Sequence, residues 1–386
     1  MNEPWRVDVL QCRGSSYEVG KQMAEGFLKT TRGAMFHRRR GHQPFGFDLK
    51  DAQAALCTYA PNIWEELHGL ADGLKIPLER AAVQYSNARL SFPKRGCSSV
   101  MTNAFYGRNY DYSPRRYDPT LVAVQPKGVH ASLAFSDRFT GRVDGMNEHG
   151  LCVGLHFVNY RPVRPGLVCI LIVRMVLDQC ATTREAVRLL TRIPHGQPFN
   201  YSLLDAIGAA AVVEASPLAT SVRDGLQLAC TNHFQIAKLG RYNRRNPGSH
   251  RRLPPLETWS RAELSHQQLF AAFNHAGSPV FDHAYRTGSG TLHTFVCETA
   301  TRTMLVGIGG DASPQSIHFE NWARGASLGL SQLEGQLGTL DRPLDSTIRI
   351  PTKKTLARLS SIKANKLSVR RDTKAQPLLE QLTLAT

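Results

Sequence analysis

Residues on the two sides of Cys97 follow different hydrophobic periods, and that switch is the first limit on the fold. Ahead of it, after a short strand at Val7–Leu10, the pattern is helical. Gly14-Ser15-Ser16-Tyr17-Glu18 has the spacing of a capping box and opens a helix to about Lys29. Asp48–Leu74 places apolar residues at helical spacing with a break at Pro61, and Pro77-Leu78-Glu79-Arg80 opens a further helix ending near Ser91-Phe92-Pro93. Met35–Gly46 is basic and aperiodic, a loop. Behind Cys97, strands are expected at Val100–Tyr106, Thr120–Val124, Ala131–Phe135, Leu151–Val158, Ile207–Glu214, Gln227–Thr231, Thr291–Glu298 and Thr303–Gly307. Leu167–Cys180, Thr183–Ile193 (capped by Thr182 or Thr183) and Ser260–His275 read as helices, and Lys238–Pro255 as a basic loop. Many strands with a few paired helices predict a layered α+β fold. The expected division is a mainly helical leader over 1–96 packed on a strand-rich domain over 97–330. A basic extension with little packed structure is expected over 331–386.

Composition narrows the class of partner. Forty-seven Lys and Arg against 31 Asp and Glu leave a formal charge of +16, so the surface attracts anions: nucleic acid, an acidic substrate or an acidic membrane face. The segment Lys353–Thr386 holds much of that excess, as a self-solvating tail would. No helix-turn-helix, zinc-finger or aromatic–basic RNA platform is present, so nucleic acid is not the expected partner. Eight cysteines without CxxC pairs read as reduced thiols, mostly of the core. The N-terminal residues lack an apolar signal core and no apolar run reaches the ~18 residues of a membrane span, so a cytoplasmic location without membrane partners is expected. His149, His156, His233 and His293 share no metal-ligand spacing, and Gly288-Ser289-Gly290 lacks a phosphate-loop lysine, so neither metal nor cofactor is expected.

The junction itself, Arg95-Gly96-Cys97-Ser98-Ser99, carries a specific chemistry. A thiol beside a glycine carbonyl can attack it, shift the acyl group to sulfur, and let water release a new N-terminal cysteine. Glycine suits the position because it permits a strained turn. The freed α-amine, with a pKa of roughly 7.7–8, then serves as base for its own thiol. Such a nucleophile needs an amine orienter, a favourable field and oxyanion donors. Asp111 is a candidate for the first, Arg108 for the second or for an anionic substrate group, and Asn147 and Asn232 for the third.

Five stretches together resemble the cysteine branch of the N-terminal-nucleophile hydrolases that contains isopenicillin N acyltransferase, the C45 peptidase-like group. They are Gly14–Gly20, Arg95–Ser99, Gly107–Tyr112, Gly145–Leu151 and Thr231–Phe234; Pro254–Arg261 resembles a further acyltransferase segment. Choloylglycine hydrolases and penicillin V acylases are more distant kin. The resemblance implies a four-layer αββα sandwich, cleavage between Gly96 and Cys97, and a leader that stays bound as a small subunit. It also implies Cys97 as nucleophile, Asp111 as amine orienter, Asn232 as oxyanion donor, Asn147 in the same pocket, and Arg286 near the nucleophile. Arg108 resembles the bile-salt-hydrolase pattern while Thr231-Asn232-His233 and the long leader resemble the acyltransferases, so hydrolysis and acyl transfer both stay open. The implied substrates are small-molecule amides or acyl thioesters, a coenzyme A thioester among them as acyl donor. The competing expectation is a non-catalytic anion- or nucleic-acid-binding protein on the same scaffold.

Overall fold

In the computed structural model, residues 3–30, 33, 49–85, 96–160, 164 and 166–338 are described. The expected Met35–Gly46 loop, the helix end near Pro93, Arg95 and the basic tail beyond Lys353 lie outside them.

Strands β1 (Glu3–Gly14), β4 (Thr120–Pro126), β5 (Ser132–Asp137), β6 (Gly141–Asn147), β7 (Cys152–Phe157), β8 (Phe199–Leu204), β9 (Ala210–Ala215), β10 (Thr220–Gly225) and β15 (Gln332–Leu337) make a nine-stranded sheet. Its order is β10-β9-β8-β7-β6-β5-β4-β1-β15. Strands β2 (Ser98–Met101), β3 (Phe105–Tyr112), β11 (Leu228–Cys230), β12 (Gly290–Glu298), β13 (Thr303–Ile308) and β14 (Gln315–His318) make a six-stranded one, in the order β11-β2-β3-β12-β13-β14.

Alternation along β3 shows how the layers stack. Side chains two apart in a strand leave the same face. Tyr106 and Arg108 point across to the nine-stranded sheet, where Tyr106 bonds Ser202 and Arg108 pairs with Asp144. Gly107 and Asn109 face the other way, against Phe273 and the carbonyls of Phe273 and Val280. Helices α8 (Pro247–Arg261) and α9 (His266–Asn274), which follow the one-turn α7 (Ala237–Gly240), cover that outer face. On the outer face of the larger sheet lie α1 (Ser16–Lys29), α5 (Cys169–Gln179) and α6 (Thr183–Arg192). The chain therefore folds as an αββα sandwich.

The segment ahead of Cys97 is part of that sandwich. Its β1 lies between β4, to which it runs parallel, and the antiparallel β15. Residues 332–337, expected to belong to the loosely packed extension, are thus an edge strand, with Leu333 and Leu337 buried. After β1 the Ser15–Glu18 capping box starts α1 as expected. Two more leader helices follow around Pro61, α2 (Leu49–Tyr59) and α3 (Pro61–Leu74), then α4 (Leu78–Tyr85). Helices α1 and α3 touch backbone to backbone: a Cβ on Gly69 would overlap the Tyr17 carbonyl.

Two expectations are corrected. The region read as a loop to Pro255 contains α8, which Asn246 caps by accepting from Ser249 N and which Pro247 starts at a position where no N–H is needed. Pro254 and Pro255 sit inside this helix rather than ending it. A helix expected to run from Ser260 to His275 is split, with the break after Arg261 and a second capping box at Ser265 and Gln268. Strands β3, β6, β8, β10, β14 and β15 were not expected, and the single strand expected over Val100–Tyr106 is divided between β2 and β3. In β6 the sequence Gly-Arg-Val-Asp-Gly-Met-Asn offers little strand propensity, and its Arg142 and Asp144 are buried.

A buried charge cluster ties the leader to the rest. Arg174 of α5 lies with its Nε on both Asp178 oxygens at 2.7 and 2.9 Å and its Nη atoms on both Glu66 oxygens of α3 at 3.3 and 2.8 Å. Asn62 of α3 donates to the same Asp178 at 2.6 Å. Removing one partner from such a group leaves a buried charge uncompensated. Glu66→Ala is expected to cost about 3 kcal/mol in urea unfolding. Glu334→Ala, which breaks an Arg6 pair whose side chains are 69% and 67% exposed, is expected to change stability by less than about 1 kcal/mol.

Candidate functional site

Cys97 precedes β2 and is 4% exposed. β2 pairs with β3 in a register that sets Ser98 beside Asn109 and Ser99 beside Arg108. That pairing brings the two ends of the Cys97–Asp111 segment together. Burial pushes the Cys97 thiol up, opposed by the Arg108 guanidinium and by a backbone hydrogen bond at Asp111; the Asp111 and Asp144 carboxylates add to the rise.

Arg108 is wholly buried. Its Nε lies 2.7 Å from Asp144 Oδ2, Nη2 donates to the Leu155 carbonyl at 2.6 Å, and Nη1 stands 3.2 Å from His156 Nε2. Burial, followed by the Arg108 charge, holds His156 well below the usual histidine range, so the ring is neutral. Because a guanidinium only donates, His156 Nε2 must accept and Nδ1 carries the hydrogen. Nδ1 lies 3.4 Å from the Cys97 carbonyl oxygen.

Asp111 is 3% exposed, and its Oδ1 accepts from Thr291 at 2.7 Å. Its Oδ2 has no hydrogen-bond partner among the described residues, with Arg252 Nη1 at 3.7 Å. Burial lifts the carboxyl to about 7, against the pull of Arg252.

The Thr231-Asn232-His233 turn follows β11 and is clamped on two sides. Asn200 of β8 donates to the carbonyls of Thr231 and His233 at 3.1 and 2.9 Å. Ser249 of α8 accepts from Asn232 N at 2.7 Å and meets His233 Nδ1 at 2.7 Å. The Asn232 carboxamide donates from Nδ2 to the Phe157 carbonyl at 2.9 Å, and its Oδ1 accepts from Arg252 Nη2 at 2.9 Å. One of its two amide hydrogens is thereby used. This carboxamide lies against Gly96: a Cβ there would come within 2.6 Å of Asn232 Nδ2.

Cys97, Arg108, Asp111 and Asn232 thus converge. Two further residues join them that were not among the sequence candidates. Arg252 donates through Nη1 to the Cys97 carbonyl at 2.9 Å and Ser98 Oγ at 2.6 Å, and through Nη2 to Asn232. His156 is the other. The only sequence sign of Arg252 was the Asn246-Pro247 helix start, which the surrounding basic loop composition masked.

Asn147 and Arg286 are placed differently. Both Asn147 amide hydrogens are spent, on the Leu177 and Cys180 carbonyls at 3.0 and 2.7 Å, and its Oδ1 accepts from His149 N and Leu151 N. Its side chain therefore pins the β6–β7 turn to the end of α5 and has no hydrogen left for an oxyanion. Arg286 is exposed on the 3-10 turn Ala284–Thr287, whereas Tyr285 beside it is buried. The described contacts of Cys97, Asp111 and Asn232 do not include Arg286.

A carboxyl raised in the folded chain from about 3.9 to about 7 binds its proton more tightly when folded. It stabilises the fold below about pH 4, and that contribution disappears as the pH rises to 7. In a Cys97→Ala background, Asp111→Asn is expected to remove on the order of 4 kcal/mol of stability loss between pH 4 and pH 7.5 in urea titrations. Asp137, also lifted to about 7 by burial, keeps its own share of the slope.

A model of the acyl-coenzyme A:6-aminopenicillanic acid acyl-transferase family matches residues 100–313, just over half of the chain. No curated protein matches it. Among solved structures, the penicillin V acylase from Agrobacterium tumefaciens is 18% identical, covering 57% of this chain and 86% of its own, with a TM-score of 0.39. A mutant conjugated bile acid hydrolase from Clostridium perfringens is 14% identical, covering 64% and 99%, with a TM-score of 0.42. The Caenorhabditis elegans ortholog of N-acylethanolamine-hydrolyzing acid amidase is 18% identical, covering 53% and 93%, with a TM-score of 0.36.

Proposed function

The chain belongs to the acyl-coenzyme A:6-aminopenicillanic acid acyl-transferase family, and from that premise we propose that it is a self-cleaving N-terminal-cysteine amidohydrolase or acyltransferase. The observation that carries this reading is the position of Gly96-Cys97. The Asn232 carboxamide lies on Gly96 and Asp111 is held beside the thiol, both through Arg252.

In maturation, Cys97 Sγ attacks the Gly96 carbonyl carbon and the Cys97 nitrogen leaves as an amine, taking the thiol proton. Water then hydrolyses the thioester to free the Gly96 carboxylate and restore the thiol. The remaining Asn232 amide hydrogen is the donor for the oxyanion in this step. In turnover, the new α-amine of Cys97 takes the thiol proton as Sγ attacks an acyl carbon, and returns it to the departing amine or thiol. The unpartnered Asp111 Oδ2 is the acceptor that orients this amine. Arg108 offsets part of the penalty that burial places on the thiolate. Water resolves the acyl-enzyme in hydrolysis, a small amine in transfer.

The substrate is a small-molecule amide or acyl thioester, with coenzyme A thioesters included as donors and no resident cofactor. Lys238, Arg241, Arg244, Arg245 and Arg251 are exposed around the start of α8, the helix that supplies Arg252, and suit an anionic donor. In the matured enzyme, residues 1–96 form a small subunit retained by the β1 ladders and the Glu66–Arg174–Asp178 cluster, and residues 97–337, which include β15, form the catalytic domain.

Intact mass of the purified protein is the direct test. Two fragments of roughly one quarter and three quarters of the mass are expected, the larger beginning Cys-Ser-Ser-Val. Cys97→Ala is expected to stay whole and to lose turnover of acyl amides and thioesters; a variant that matures and turns over like the parent defeats the proposal. Gly96→Ala is expected to slow maturation at least about tenfold, because its methyl group displaces the Asn232 donor.

A further inference from the structure

We propose a divalent-metal site, for Zn²⁺ in the first instance, formed by His130, Glu148 and His149 outside the group around Cys97. His130 ends the β4–β5 connection; Glu148 and His149 form the β6–β7 turn. Their spacing in sequence matches no metal motif, and only the sheet brings them together. His130 Nδ1 and His149 Nε2 face each other at 3.0 Å, and Glu148 Oε1 stands 3.7 Å from His130 Nδ1. The three ligand atoms lie within 4.8 Å of one another.

The geometry suits a small tetrahedral cation. Bonds of about 2.0–2.1 Å set neighbouring ligand atoms about 3.3 Å apart, so a slight opening of the histidine pair admits the ion. The rings meet edge to face at 80°, with centroids 4.3 Å apart and the two facing nitrogens 3.0 Å from each other. Without a cation one ring must donate its N–H to the other. With one, both nitrogens become ligands and the displaced hydrogen moves to the outer nitrogen of its own ring. Two imidazoles and a carboxylate complete three corners, and the exposed position of His149 leaves the fourth for water.

The backbone beneath is already fixed. His130 N donates to the Asp178 carbonyl, Glu148 N to Ala131, Ala131 N to Glu148 Oε1 at 3.0 Å, and His149 N to Asn147 Oδ1. Such preorganisation lowers the ordering cost of binding. The carboxylates of Asp178 and Glu185 add a favourable field at His130. A bound ion would clamp the two connections, a role separate from acyl chemistry.

Chelator-treated full-length protein titrated with Zn²⁺, read by equilibrium dialysis and thermal unfolding, tests this. One Zn²⁺ per chain is expected, with a rise of several degrees in Tm at saturating metal. His130→Ala and His149→Ala are each expected to weaken binding at least about 10–100-fold with unchanged circular dichroism and unchanged maturation. Co²⁺ in place of Zn²⁺ is expected to give a spectrum without a thiolate charge-transfer band. No binding at micromolar Zn²⁺, which leaves the pair as a plain histidine–histidine hydrogen bond, overturns the proposal. So does binding that survives both variants or shows thiolate ligation, which assigns the metal to a cysteine.

Discussion

One buried guanidinium holds the two sheets in register. Arg108 reaches from β3 of the smaller sheet to Asp144 on β6 and to the Leu155 carbonyl on β7, with no exposed atom. Removing such a charge from water is costly unless it is compensated, and here the Asp144 carboxylate supplies the counter-charge while His156 and the Leu155 carbonyl accept from the two Nη atoms. Because these contacts end on two neighbouring strands, β6 and β7, the pairing fixes rotation as well as distance between the layers. His293 of β12 also touches Asp144, at 3.1 Å, stacks on Phe135 and accepts or donates at Tyr117, which extends the polar seam along the interface. Cys97 sits at the end of that seam, where the Arg108 charge opposes the effect of burial on its thiol.

The second constraint comes from outside the seam. Arg252 lies on the helix that covers the smaller sheet, yet its guanidinium contacts the Cys97 carbonyl, Ser98, Asn232 and, more distantly, Asp111. The junction is therefore gripped from both faces: His156 and Arg108 from the interior, Arg252 and Asn232 from the helical side. The segment ahead of Cys97 is woven into the fold, with strand β1 hydrogen-bonded on both edges.

Local pattern served well where apolar and β-branched residues run together, as in β4, β7 and β12, and poorly where glycine, charge or shortness breaks the run, as in β6, β10 and β14. The α1 capping box, the helices around Pro61, Thr182 at the head of α6 and most strands after Cys97 were legible, because alternation and caps report directly on neighbours in sequence. Strand β6 was not, since its glycines and charges make sense only with Arg108 and the interior groups beside it. Helix α8 was not, since paired prolines ordinarily end a helix, and here tertiary packing outweighs that cost. Asn147 shows the reverse limit: a motif was visible, but which atoms its amide would serve depended on the end of α5 folding back onto the turn.

What the sequence determined by itself was the order of parts: a leader, a Gly-Cys junction, a strand-rich body, and the short motifs around Arg108, Asp111 and Asn232. Those follow from residue chemistry and from periods of two and 3.6, which are local properties. The tertiary structure decided which groups share a space. It brought Arg252 across 155 residues to the Cys97 carbonyl and left Arg286 exposed, and it set His130 against His149. No local rule foresees such meetings, because they depend on strand register and on the packing of whole layers, where a shift of one residue turns each side chain to the opposite face.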